Sequence, residues 1–234
     1  MRHLDILLVT LVPRAAPLAV RRAPSPRCVF GGNPFEGIKN PFANKEDGAT
    51  CMRLQLAYQC PDRRPSSLLG RIEALADDNA DDVVRLAEET AMLLLRTRQQ
   101  WQACCGSVRH YGDEQSALQQ FDREAVVEAA KFERESTRGG SSGGAGAAPV
   151  DASTVAVVTA LATVMGDREE AIGASGGSLG GDAPAMLEAL QEVAAAASSN
   201  RLFAFELLWV PALEDDGELE MDEVLLSWPE LIMC

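Results

Sequence analysis

The residues of this 234-residue chain whose types could do chemistry are six cysteines, two histidines and an excess of carboxylates. Gly176 to Gly180 (GGSLG) matches G-x-S-x-G, the turn that exposes a nucleophilic serine between a strand and a helix in hydrolases. That chemistry needs a strand ending at the turn and a later histidine as base. The apolar run before it ends near Met165 and no histidine follows Ser178, so the stretch reads as a glycine-rich loop. Cys104 and His110 could form a thiolate–imidazole pair. Nothing else in the sequence orients them, and Gly106 and Ser107 between them read as a loop. Cys28, Cys51, Cys60, Cys104, Cys105 and Cys234 include no C-x-x-C pair, the spacing that lets two thiolates converge on one zinc ion or close a redox disulfide. They read as free, reduced thiols, and on a strand Cys104 and Cys105 would point to opposite faces.

Residues 212–223 can be laid on a twelve-residue calcium loop. Gly217 falls at the sixth position, Asp216 at the fifth, Glu220 at the ninth and Glu223 at the twelfth. Ala212 stands where the first carboxylate is needed, so the main reading is a solvated acidic loop. It also places carboxylates at the start of a helix, where the dipole favours them. Glu206 interrupts an apolar strand and would be costly there unless paired. It reads as a structural residue, at an edge position or paired with an arginine such as Arg85 or Arg201. Asn33-Pro34-Phe35 and Asn40-Pro41-Phe42 repeat a turn-forming tripeptide whose phenylalanine could anchor an extended arm in a partner's groove. No P-loop, dinucleotide fingerprint or H-E-x-x-H is present.

Charge limits the partners. The 35 acidic and 21 basic side chains give a net charge of −14. Residues 1–30 carry five arginines against Asp5, which leaves about −18 on the rest. An acidic surface repels phosphate backbones and anionic headgroups, which argues against nucleic acid. The basic, acid-poor first 30 residues resemble a plastid or mitochondrial targeting peptide, the alternative being a basic arm. No apolar run approaches the roughly 18–20 residues of a spanning helix; the best, Thr154 to Met165, is too short. With 47% hydrophobic residues the chain can bury a substantial core.

The elements that must position these groups begin near residue 51. Residues 31–50 read as an extended docking arm, and 51–234 as one α+β domain interrupted by the glycine-rich loop at 139–148. Met52 to Cys60 reads as a strand, Leu68 to Ala76 as a helix capped by Ser66 or Ser67, and Val83 to Leu94 as a second helix. A third helix follows Asp113. Thr154 to Val164 is β-branched and suits a buried strand. A helix over about 183–197, capped by Asp182, precedes the strand Leu202 to Val210, which includes Trp209. A short helix with Val224, Leu225 and Trp228 closes the chain. The expected fold is a small sheet of few strands with helices on one face, the strands about this helix being open to parallel pairing through a right-handed crossover.

The stretch 201–211 (RLFAFELLWVP), followed by an acidic gap and 221–231 (MDEVLLSWPEL), resembles the closing motif of the domain of unknown function 1517 family. Leu54-Gln55-Leu56, the helix 88–96 (EETAMLLLR), Lys131-Phe132 and the strand 155–164 agree with it. Trp228 stands where the family usually has tyrosine, and the N-terminal membrane segment common in the family is not seen. The resemblance covers about 52–234. It implies a plastid or cyanobacterial setting, in which plant members adjust photoprotective quenching and proton balance at chloroplast membranes. It implies no catalytic residue, cofactor or metal. The function expected is therefore a non-enzymatic, peripheral accessory or regulatory subunit of a thylakoid or envelope membrane complex, on the stromal side. The alternative is a soluble small-molecule or calcium-binding domain using loop 212–223.

Overall fold

The computed structural model describes residues 47–139, 153–173, 177–179, 182–212 and 219–234. The expected arm through residue 46, with both Asn-Pro-Phe turns, lies outside them, as does the glycine-rich loop beyond Gly139.

Among the described residues five strands form one sheet: β1 (Ala49–Cys60), β2 (Trp101–Tyr111), β3 (Thr154–Met165), β4 (Leu202–Val210) and β5 (Ile232–Met233). Their order is β4-β3-β1-β2-β5 and every pairing is antiparallel. Six described helices accompany them: α1 (Leu68–Asp78), α2 (Val83–Arg96), α3 (Glu114–Gly139), α4 (Glu169–Ile172), α5 (Ala183–Ser198) and α6 (Met221–Ser227). The domain is α+β, as expected. β1 takes in Ala49 and Thr50, so the last two residues assigned to the arm belong to the sheet.

Local chemistry sets the helix starts. Ser67, Asp82 and Asp182 each accept an N–H of the first turn, from Gly70, Arg85 and Ala185, which satisfies donors that have no partner within the helix. Asp113 does the same for the N–H of Ser116 at 2.8 Å. In α6, Glu220 and Glu223 form a reciprocal capping box.

Three expectations are corrected. The segment with Gly106 and Ser107 is not a loop but the middle of β2, paired with β1 along nearly its whole length. Gly106 is required there: a Cβ would stand 2.6 Å from Leu179 Cδ1 and 2.9 Å from the Arg53 carbonyl oxygen. Next, β3 and β4 are antiparallel rather than parallel. The connection between them contacts β2 through residues 177–179, and α5 touches all four of the long strands, β2, β1, β3 and β4. A helix that crosses the strands, instead of running back along them, returns the chain to the end of the sheet it left. The Met165 N–H meets the Arg201 carbonyl at 2.9 Å there. Last, helices cover both faces of the sheet, not one.

Because side chains alternate along a strand, β1 feeds two cores. Met52, Leu54, Leu56 and Tyr58 join the larger one, with α1, α2 and α5. On the other face, α3 and α6 close over Ala57, Ala103, Val157, Leu208 and Val210. Trp228 is fully buried in that second core, with its ring edge-on to Phe132 at 5.3 Å. Trp209 is half-buried at the rim of the first. Truncating a buried aromatic costs about 3–5 kcal/mol. Trp228→Ala should lower the unfolding free energy by that order, and a loss below about 1 kcal/mol in a urea titration would contradict this packing role.

Candidate functional site

The face of the sheet beneath α3 is where the chemistry-bearing residues gather. Strand register alone brings them together. One row across β4, β3, β1 and β2 reads Leu208, Thr159, Gln55, Cys105; the next reads Glu206, Leu161, Arg53, Ser107; the third reads Ala204, Thr163, Cys51, Arg109. Above these rows α3 supplies Glu128 and Lys131.

Glu128 is fully buried. Its two oxygens are served by three donors: Arg53 Nη1 at 2.9 Å, Gln55 Nε2 at 2.6 Å and Lys131 Nζ at 3.1 Å. Lys131 also bonds Glu230, which follows α6, and Gln55 Oε1 accepts from Cys105 Sγ at 3.2 Å. Two cations and two carboxylates thus balance, as a buried charge requires. Burial works against the Arg53 charge, but the adjacent Glu128 more than offsets it and raises the guanidinium pKa. Burial likewise opposes ionisation of Glu230, yet the hydrogen bond from Lys131 holds that carboxyl below its usual range. The arrangement ties β1, α3 and the segment after α6 into one unit.

The other candidates are held apart. Cys104 and His110 stand six residues apart on β2, about 20 Å along the strand. The His110 N–H is bound by Glu169 at 2.6 Å. Burial pushes the thiols of Cys51, Cys104 and Cys105 up to about 12 and that of Cys60 to about 11, so they stay protonated near neutrality. Ser178 forms a bridge to Ser107 at the edge of β2, not a strand-to-helix elbow. Residues 213–218 of the acidic loop lie outside the described residues. Glu223, placed at the calcium loop's twelfth position, accepts the Glu220 N–H at 3.2 Å as part of the helix cap. Among the described residues no group of three or more His, Cys, Asp or Glu is placed to hold a metal ion. A polar cavity of about 190 Å³ lies between the end of β1 and the start of α1, near Asp62, Ser66, Ser67 and Arg71. It is smaller than the roughly 300–1,000 Å³ of ligand pockets.

Sequence reasoning missed the unpaired edge of the sheet. The outer edge of β2 is covered: β5 pairs with Ala103 and Cys104, the Leu179 N–H bonds the Gly106 carbonyl, and the Val108 N–H bonds the Gly177 carbonyl. β4 at the opposite edge is nine residues long, and among the described residues its backbone pairs with β3 alone. Glu206 sits near the middle of this apolar edge, while Arg85 is engaged with Glu89. Burial, and then the charge of Asp122 on α3, raise the Glu206 pKa. A single charge on an otherwise sticky edge strand discourages indiscriminate pairing.

The match to known families decides the chain's kinship. The family model described as "Protein of unknown function (DUF1517)" matches residues 48–234. The chain belongs to the DUF1517 family. The match begins where the sheet begins and takes in every strand and helix described. No curated protein and no solved structure matches the chain.

A raised carboxyl pKa means that the folded state prefers Glu206 protonated. Its charge therefore costs stability above the unfolded-state pKa, and the cost fades as pH falls below it. Glu206→Gln should raise the denaturation midpoint at pH 7 and leave it unchanged near pH 4. Equal midpoints at pH 7 would show that the carboxylate is not strained.

Proposed function

We propose that this DUF1517 protein is a non-enzymatic accessory or regulatory subunit that docks peripherally on a photosynthetic membrane complex. Its place is the stromal side of the chloroplast thylakoid or envelope membrane, in photoprotection or light acclimation. The observation that carries the reading is the β4 edge, which has no outer strand partner among the described residues. A partner subunit adds an extended segment as a sixth strand. Main-chain hydrogen bonds supply the affinity, and alternate side chains meet Phe203, Phe205, Leu207 and Trp209. The matching segment carries a lysine or arginine opposite Glu206, whose carboxyl is pushed up by burial and by the charge of Asp122. The Asn-Pro-Phe arm, with Phe35 and Phe42 as anchors, provides a second contact.

Three further observations support a docking role. Family membership is the first, because plant sequences of this type are associated with chloroplast membranes. The net charge of −14 favours protein partners over nucleic acid. No described helix is long and apolar enough to cross a membrane, consistent with attachment through other subunits.

Co-sedimentation with detergent-solubilised thylakoid complexes tests the proposal. The full chain should pellet with them. Phe203→Lys places a cation on the half-buried edge and should weaken the affinity by about tenfold, the equivalent of about 1.4 kcal/mol. Deleting residues 31–46, which leaves β1 intact, should weaken binding independently. A chain that stays in the supernatant with intact complexes would overturn the proposal, and unchanged binding by Phe203→Lys would remove β4 as the docking edge.

A further inference from the structure

We propose that Cys104 and Cys234 are a redox-responsive pair that closes reversibly into a disulfide joining β5 to β2. Their sulfurs stand 3.4 Å apart although the residues are 130 positions apart in the chain. Two features make the pair suited to regulation rather than permanent cross-linking. Cys234 is exposed whereas Cys104 is buried, so an oxidant or reductant reaches the pair from one side only. The strand that holds them together is also short: β5 is Ile232–Met233, both exposed, extended by the Cys234 N–H bonding the Gln102 carbonyl at 2.9 Å. Such a strand can separate from the sheet edge without disturbing either core.

The reaction is thiol–disulfide exchange with a low-molecular-weight disulfide RS–SR. The Cys234 thiolate attacks one sulfur of RS–SR and expels RS⁻, leaving Cys234–S–SR. Cys104 loses its proton to solvent as β5 opens, and its thiolate attacks the Cys234 sulfur and expels the second RS⁻. Two protein thiols are oxidised to one disulfide, and RS–SR is reduced to two RSH once the expelled thiolates take up the two protons released. Burial keeps Cys104 protonated in the closed state, with the neighbouring Cys234, Cys105 and Asp182 adding to the effect. Exchange is accordingly gated by opening of β5. The consequence reaches the seam beneath α3, because Glu230, which bonds Lys131, lies just before β5 in the chain. The oxidised chain holds that end of the seam to β2, and the reduced chain leaves it held by non-covalent contacts alone.

The test treats the full chain with oxidised glutathione, denatures it, blocks the remaining thiols with iodoacetamide and maps the peptides by mass spectrometry. A Cys104–Cys234 cross-linked peptide should appear, the thiol titre should fall from six to four, and dithiothreitol should reverse both. Cys234→Ser, at an exposed position that does not threaten folding, should abolish the cross-link and leave Cys104 alkylated. Cys60→Ser should leave the cross-link in place. A stable glutathione adduct on Cys234 with Cys104 still free, or a disulfide from Cys234 to Cys28 or to a second chain, would overturn the proposal.

Discussion

The buried carboxylate of Glu128 is the constraint on which the lower half of the molecule depends. A charge taken out of water must be met in full, and Glu128 is met by donors from β1 and from its own helix. Removing one partner of such a group leaves the others uncompensated and typically costs about 3–5 kcal/mol. Apolar contacts alone allow a helix to slide or rotate on a sheet, since one methyl group replaces another at little cost. The geometry of the Glu128 bonds does not allow this. It fixes the register of α3 against β1, and Phe121 and Phe132 then fall over their own parts of the sheet. Lys131 extends the constraint to Glu230, so Trp228 and α6 are held in place as well.

The upper half is held differently. It has a larger and almost wholly apolar core, with small residues on β3 (Ala156, Ala160, Ala162) that let α5 lie close across the strands. The two halves leave the sheet with unequal edges. One is closed by the segment 177–179 and by β5. The other, β4, has no strand partner on its outer side among the described residues, and Glu206 is its only charge. A long apolar edge strand is a ready template for pairing with another chain, and a single charge restricts which chain can add to it. That contrast gives the docking proposal its physical basis, and it also explains why a carboxylate is kept at a position where it is strained.

Much of the framework was legible in the chain. Asp113 and Asp182 marked the helix starts at which their carboxylates accept backbone N–H groups, and the β-branched run at 154–164 marked the most buried strand. β2 was hidden because Gly106, Ser107, Arg109 and His110 break the apolar alternation. The reason is the 177–179 segment, whose approach excludes a Cβ at Gly106. The antiparallel β3–β4 pairing was hidden because periodicity gives the apolar face of α5 but not its angle to the strands. The ionic seam could not be read at all, since Arg53 and Gln55 lie 75 and 73 residues from Glu128. Each appears in isolation as an ordinary polar residue of a strand or helix. The unpaired edge has the same cause: which strand ends up outermost is decided by topology and not by any local pattern.

Hydrogen exchange along β4 tests the docking account most directly. In an edge strand, alternate amides point away from the sheet. In the isolated chain, the outward amides between Leu202 and Val210 should exchange quickly while the inward ones are protected by β3. Bound to solubilised thylakoid complexes, the outward set should become protected and the inward set should change little. Outward amides that exchange equally fast in the free and bound chain would contradict strand addition at β4.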